Sequence, residues 1–119
     1  MQYRQSRQDL LQGTLDLLIL RSLLYGPAHG HAISKHIRHV SEDLLRVETG
    51  SLYPALHRLE RQGFVTARWE RSDKGKRAKF YELTPGGRGR LDAERSRWER
   101  MSHAIGRVLD SLSWTGGVL

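Results

Sequence analysis

From Leu10 to Tyr25 apolar residues follow two stripes at helical spacing, Leu11, Leu15, Leu18 and Ser22 on one and Leu10, Leu17, Leu20 and Leu24 on the other. This pattern predicts a helix with more apolar surface than one core face requires. In a small chain it needs two covers, its own domain and something else. Gly26-Pro27 stops it, since Pro27 disfavours helical geometry at the preceding residue. A shorter second helix is predicted over His29 to Val40, with Ile33 and Ile37 on one face and Lys35, His36 and Arg38 outside. Ser41 to Glu48 is polar and reads as a connection. A third helix is predicted from Thr49 or Ser51, both competent N-caps, to Gln62, with Gly63 as its stop. Pro54 then falls in the first turn, where a missing amide hydrogen is tolerated. Leu52, Ala55, Leu56 and Leu59 share the core face of this helix. Pro54, His57, Arg58 and Arg61 lie opposite, flanked by Ser51 and Tyr53.

Beyond Gly63 the period changes. Phe64 to Trp69 and Ala78 to Leu83 are β-prone runs on either side of the polar loop Ser72-Asp73-Lys74-Gly75-Lys76, which predicts a hairpin. Thr84-Pro85 opens a last helix, with Thr84 as N-cap and Pro85 as the first helical residue. Gly86, Gly87 and Gly89 are expected to weaken its first turns. Apolar residues then fall at Leu91, Trp98, Met101, Ile105, Val108 and Leu112, spacings of 7, 3, 4, 3 and 4 that make a heptad seam with Glu94 in the missing slot. A seam on an otherwise charged helix needs a partner helix. The predicted pairing surface therefore comprises Leu91, Trp98, Met101, Ile105, Val108 and Leu112, together with Leu17, Leu20 and Leu24 of the first helix. The tail from Trp114 is expected to fray. The chain divides on this reading into residues 1–83, a compact domain, and 84–119, a pairing helix with its tail.

Composition narrows the chemistry. The chain has 119 residues, enough for one domain, and no cysteine, which excludes disulfides, thiolate zinc sites and cysteine nucleophiles. Residues 1–9 contain Arg4, Arg7 and Asp9 without an apolar core, unlike a secretory signal, and Leu10 to Tyr25 is too short and polar to span a bilayer. A cytoplasmic protein without membrane contact is expected. Pairs such as His29-x-His31 and His36-x-x-His39 lack carboxylates in ligand register, so no metal is expected. No nucleophile elbow, phosphate-cradling glycine loop or paired-carboxylate motif occurs, so neither an enzyme nor a cofactor is expected. The net charge is +7. Arg68 to Lys79 holds six basic and two acidic residues, a local +4 that places over half of that charge on the hairpin. A polyanionic partner is implied.

Three helices followed by a hairpin, with cations on the third helix and hairpin tip, predict a mainly α fold with a small β-hairpin. This is a winged helix-turn-helix plus a C-terminal dimerisation helix. The third helix would offer its polar face to the major groove of duplex DNA while the wing's cations reach flanking phosphates. A winged-helix RNA-binding module is the alternative, although the chain lacks the exposed aromatic pair of a base-stacking sheet. "LDLLILRSLLYGPAHGHAISKHI" from Leu15, "TGSLYPALHRLERQGFV" from Thr49 and "KFYELTPGGRGRL" from Lys79 resemble the PadR family of bacterial transcriptional regulators. The resemblance covers about Leu10 to Leu91, and its most specific part is Ser51-Leu52-Tyr53-Pro54 followed by Leu56, Leu59 and Gly63. His31 departs from the tyrosine usual after the family's His-Gly pair. The resemblance implies a homodimer on a near-palindromic operator, usually a repressor. It also implies that Tyr53 contacts DNA, the alternative being packing against the wing. Ser51 is a candidate to donate to a phosphate, to cap its helix, or to do both. His57, Arg58 and Arg61 are candidates for base or backbone contact, against a solvated or salt-bridged surface role. Lys74, Lys76 and Arg77 are candidates for phosphate contact. Trp98 is read either as a packing residue of the seam or, by the resemblance, as part of a pocket for a small aromatic effector.

Overall fold

Apolar residues at helical spacing carry the first segment into the centre of the molecule. The computed structural model describes residues 13–114 and 116, and over residues 13–22 the chain is helix α1. Ile19 and Leu20 are wholly buried, and Leu15, Leu17 and Leu18 pack against the same core. Leu10 and Leu11, expected in the first turn, lie outside the described residues, as do residues 1–9 and most of the tail beyond Trp114. A 3₁₀ turn, Leu23–Tyr25, closes the helix, and Gly26, at φ 139°, returns its N–H to the Leu23 carbonyl at 3.1 Å. A side chain is rarely tolerated at that φ, which is why glycine precedes Pro27 here.

Strand β1, Ala28–His29, is absent from the sequence reading, because two residues carry no alternation. Helix α2, Gly30–Val40, follows at once, one residue later than expected, because His29 stays extended and caps it: Ala32 N–H donates to His29 Nδ1 at 3.1 Å. Helix α3 is Thr49–Arg61. Its cap is Glu48, in place of Thr49 or Ser51, because the Glu48 carbonyl already accepts from Ser51 N–H at 3.0 Å and Leu52 N–H at 2.9 Å. Pro54 is therefore the sixth helical residue and leaves the exposed Gly50 turn without its usual donor. The helix ends with Gly63 at φ 82°, Phe64 N–H on the Leu59 carbonyl and Gly63 N–H on that of Glu60, both at 3.0 Å.

That reversal feeds β2, Val65–Arg71, which pairs antiparallel with β3, Arg77–Leu83, with Trp69 opposite Lys79 and Ala67 opposite Tyr81. The sheet order is β1-β3-β2, so β3 is central. Thr84 then ties two junctions together. Its hydroxyl donates to the Gly63 carbonyl at 2.7 Å and accepts from Gly87 N–H at 2.9 Å, capping α4, Pro85–Leu109. Gly87 is required here by packing: it is buried, and a Cβ on it would sit 2.0 Å from the Phe64 carbonyl oxygen. Ile33, Ile37, Leu52, Leu56, Leu59, Val65, Tyr81 and Leu91 complete the core around α1. The molecule measures 67 × 30 × 28 Å because the second half of α4 outruns that core.

One charged pair lies inside this packing. Asp16 on α1 is buried and ion-paired with Arg58 on α3. Burial raises the Asp16 carboxyl above its ordinary 3.8, and the Arg58 charge and hydrogen bond pull it back in part. The folded chain therefore binds this proton more tightly than the unfolded chain. Its contribution favours folding as pH falls through the interval just above the ordinary value, and opposes folding above it. A carboxyl NMR titration is expected to place the Asp16 midpoint above 3.8, and Arg58→Met to move it higher still. A midpoint below the ordinary value would contradict the burial of this group.

Candidate nucleic-acid interface

The hairpin alternates its side chains, and the face turned toward α3 changes character along its length. Near the domain Val65 and Tyr81 are buried; further out the same face carries Trp69, Lys79 and Arg77. With the first turns of α2 and the open face of α3 these residues enclose a groove. His29 enters it from the end of β1, His31 and Lys35 from α2, Tyr53 and His57 from α3, and Lys74, Lys76 and Arg77 from the hairpin tip. The tip is shaped by Gly75 at φ 76°, with Ser72 N–H bonded to the Lys76 carbonyl at 2.7 Å.

Tyr53 stands where α2 and α3 meet. It is 37% exposed, and its ring lies so close to α2 that a Cβ on Gly30 would be 2.7 Å from its hydroxyl oxygen. Gly30 thus lets the phenol lie against the start of α2 while its edge faces the groove. Tyr81 forms part of the groove lining, its hydroxyl pushed above the ordinary 10.0 by burial, so it stays a neutral phenol.

Not every expected residue reaches this groove. Ser51 is exposed on the third residue of α3 and cannot be its cap, since the helix begins before it. Arg58 points the other way, to Asp16, and is withdrawn from the interface by that ion pair. Its place on the polar side of a helical wheel could not reveal a carboxylate on α1. Arg61 is exposed on the last turn of α3, outside the groove lining. His31, Lys35, Trp69 and Lys79 line the groove without having been singled out. The four-residue step from His31 to Lys35, opposite Ile33 and Ile37, was the available signal for the first two.

The hairpin charge divides between two faces. On the side away from α3, Arg68 is engaged by Glu70 and, at 2.9 Å, by Glu82. Lys79 reaches Glu60 at 3.3 Å and lies over the Tyr81 ring. Lys74, Lys76 and Arg77 remain at the rim, with Asp73 the acidic residue among the groove lining. The electrostatic character of the groove is cationic. Among the described residues no group of three or more His, Cys, Asp or Glu is placed to hold a metal ion, and no helix is long and apolar enough to cross a membrane.

The heptad seam is used in two parts. Leu91 and Glu94 are buried against the chain's own domain, and Leu20 is wholly buried in the core, so Leu20 and Leu91 are not available to a partner. Arg90 and Arg97 hold the Glu94 carboxylate at 3.1 and 3.6 Å, which explains a charge in an apolar slot. Leu112 lies beyond the end of α4 at Leu109 and is not on the helical seam. Trp98, Met101, Ile105 and Val108 remain exposed in a row, and Leu24 is partly exposed elsewhere. Trp98 and Met101 border a cleft of about 130 Å³ between α1 and α4, with Gly13, Thr14, Leu17, Glu94 and Arg97.

Comparison with known proteins finds the same architecture. The profile of the "Transcriptional regulator PadR-like family" matches residues 19–93. A transcriptional regulator of Mycobacterium tuberculosis is 30% identical over 110 residues, covering 92% of this chain and 96% of its own. A transcriptional regulator from Clostridium thermocellum superposes with a TM-score of 0.75 at 30% identity, over 83% of this chain and 96% of that one. A PadR family transcription regulator from Clostridium difficile gives a TM-score of 0.69 at 28% identity, over 80% of this chain and 97% of that one.

Proposed function

We propose, from the premise that this chain belongs to the PadR-like family of transcriptional regulators, that it is a homodimeric repressor reading a near-palindromic DNA operator. The observation that carries this reading is the cationic groove, where α2, the open face of α3 and the wing tip converge. The third helix of a winged helix-turn-helix enters the major groove, and two such helices related by a twofold axis engage sites about 34–36 Å apart. On this reading Ser51, Tyr53, His57 and Arg61 meet the major groove and its walls, and Lys74, Lys76 and Arg77 meet phosphates beside it. Arg58 is left out because Asp16 holds it.

Residues up to 83 then form the reading domain. From Thr84 the chain forms the pairing element, anchored by Gly87 and Leu91 and joined to its twin through Trp98, Met101, Ile105 and Val108. The reading includes a small aromatic effector held against Trp98 and acting by changing the spacing of the two third helices. The open cleft beside that indole supports it. It also includes action in the cytoplasm.

Selection of duplexes from a random-sequence pool, followed by footprinting, tests the reading directly. A protected site with twofold symmetry is expected, competed by duplex DNA in preference to duplex RNA. Tyr53→Ala and Arg61→Ala are each expected to weaken binding to that site by about 1–3 kcal/mol with the dimer intact. Unchanged affinity in both would show that the wrong face of α3 has been assigned.

A further inference from the structure

Trp69 is 58% exposed, on the wing. Tryptophan is among the side chains most buried on average, so leaving most of an indole in water needs a reason. It projects from β2 on the face that looks into the groove, opposite Lys79 in the ladder. Lys79 is drawn to Glu60 and Tyr81. Two cations stand next outward on that face, Arg71, which donates to the Gly75 carbonyl at 3.0 Å, and Arg77, whose guanidinium carbon lies 5.2 Å from the centre of the Trp69 ring.

A guanidinium over an aromatic ring uses its flat face for the contact and keeps its N–H donors in the plane, free for oxygen acceptors. A long side chain at a hairpin tip otherwise samples many rotamers, and ordering them on binding weakens the complex. We infer that Trp69 is a positioning residue of the DNA interface, holding Arg77 flat so that its in-plane donors meet a phosphate of the bound duplex. The inference rests on the DNA-binding reading above and assigns Trp69 a role beyond the contacts expected of the wing tip. Lys74 and Lys76, on the loop, make their contribution by charge alone.

The test uses the full chain and a duplex that the wild-type protein selects from a random-sequence pool, with affinity measured across a salt series. Trp69→Ala is expected to weaken binding by about three- to thirtyfold, the range of a cation–π contact that becomes desolvated. Trp69→Phe should restore most of the loss. Arg77→Ala should weaken binding and lower the slope of log affinity against log salt by about 1. Trp69→Ala added to Arg77→Ala should cost nothing further. Arg77→Lys, which keeps the charge and loses the plane, should match Trp69→Ala without a change in salt slope. Wild-type affinity for Trp69→Ala or for Arg77→Lys overturns the inference. So does an undiminished loss from Trp69→Ala in the Arg77→Ala background, because the indole would then be touching DNA itself. If the wild-type chain selects no duplex, it is the DNA-binding reading that fails, and this inference with it.

Discussion

Gly87→Ala is expected to destabilise the fold by about 3–5 kcal/mol, a large part of the total stability of a domain this size. The added methyl would lie 2.0 Å from the Phe64 carbonyl oxygen and 3.0 Å from its carbon, both backbone atoms, and 2.8 Å from a Leu83 methyl. A backbone group cannot rotate aside as a side chain end can. Either α4 lifts from the end of the hairpin or the Phe64 segment moves, and both shifts break the Thr84 bonds to Gly63 and Gly87. Phe64 also closes the C-terminus of α3, so strain there reaches the helix that carries Tyr53 and His57. Two neighbours serve as controls. Gly89 has nothing within 4 Å of an added Cβ, and alanine there should stabilise the helix by about 0.5–1 kcal/mol. Gly86 meets only ordinary contacts at 3.7 Å and beyond. Urea unfolding monitored by circular dichroism distinguishes the three. A Gly87→Ala midpoint equal to that of the wild type would mean that α4 does not pack this closely on the wing.

Ile105→Asp is expected to leave the fold intact and abolish pairing. Ile105 is 52% exposed in the single chain, so an aspartate there meets water and costs the monomer little. In a dimer joined through Trp98, Met101, Ile105 and Val108 the same carboxylate would be buried without a partner, which apolar surroundings do not tolerate. Sedimentation should therefore show monomers with an unchanged circular dichroism spectrum. Operator affinity should fall by about 10²–10⁴-fold, because each reading head would bind without the effective concentration that its twin provides. A variant that still sediments as a dimer would show that the seam is misread.

Much of the fold was open to a reader of the chain, because its signals are local. Period and breakers mark α1 and α2, the apolar quartet Leu52, Ala55, Leu56 and Leu59 marks α3, and Thr84-Pro85 marks the start of α4. The departures have particular causes. A two-residue strand such as β1 has no period to detect and exists only because Tyr81 and Phe80 offer a ladder beside it. Capping failed at α3 because Thr49 and Ser51 were both good local candidates, whereas the chain enters the helix at Glu48. Of the groove lining, the cations of the wing tip were legible from residue type and Tyr53 from the family resemblance. Arg58 takes the salt-bridged alternative, and His31, Lys35, Trp69 and Lys79 were overlooked, since their membership depends on which surfaces meet.

What the sequence determined by itself is the order of the four helices and the hairpin, the apolar faces of the helices, the cationic hairpin and the family. These are consequences of spacing and of residue type, which a neighbour in space does not change. What only the tertiary structure decided is which polar groups are already occupied and which glycines are obligatory. Asp16 and Arg58 are 42 residues apart and Gly87 meets Phe64 across a chain reversal, so neither contact has a local signature. Whether a cation is free for a phosphate, or a seam residue for a partner, depends on what the rest of the chain has packed against it.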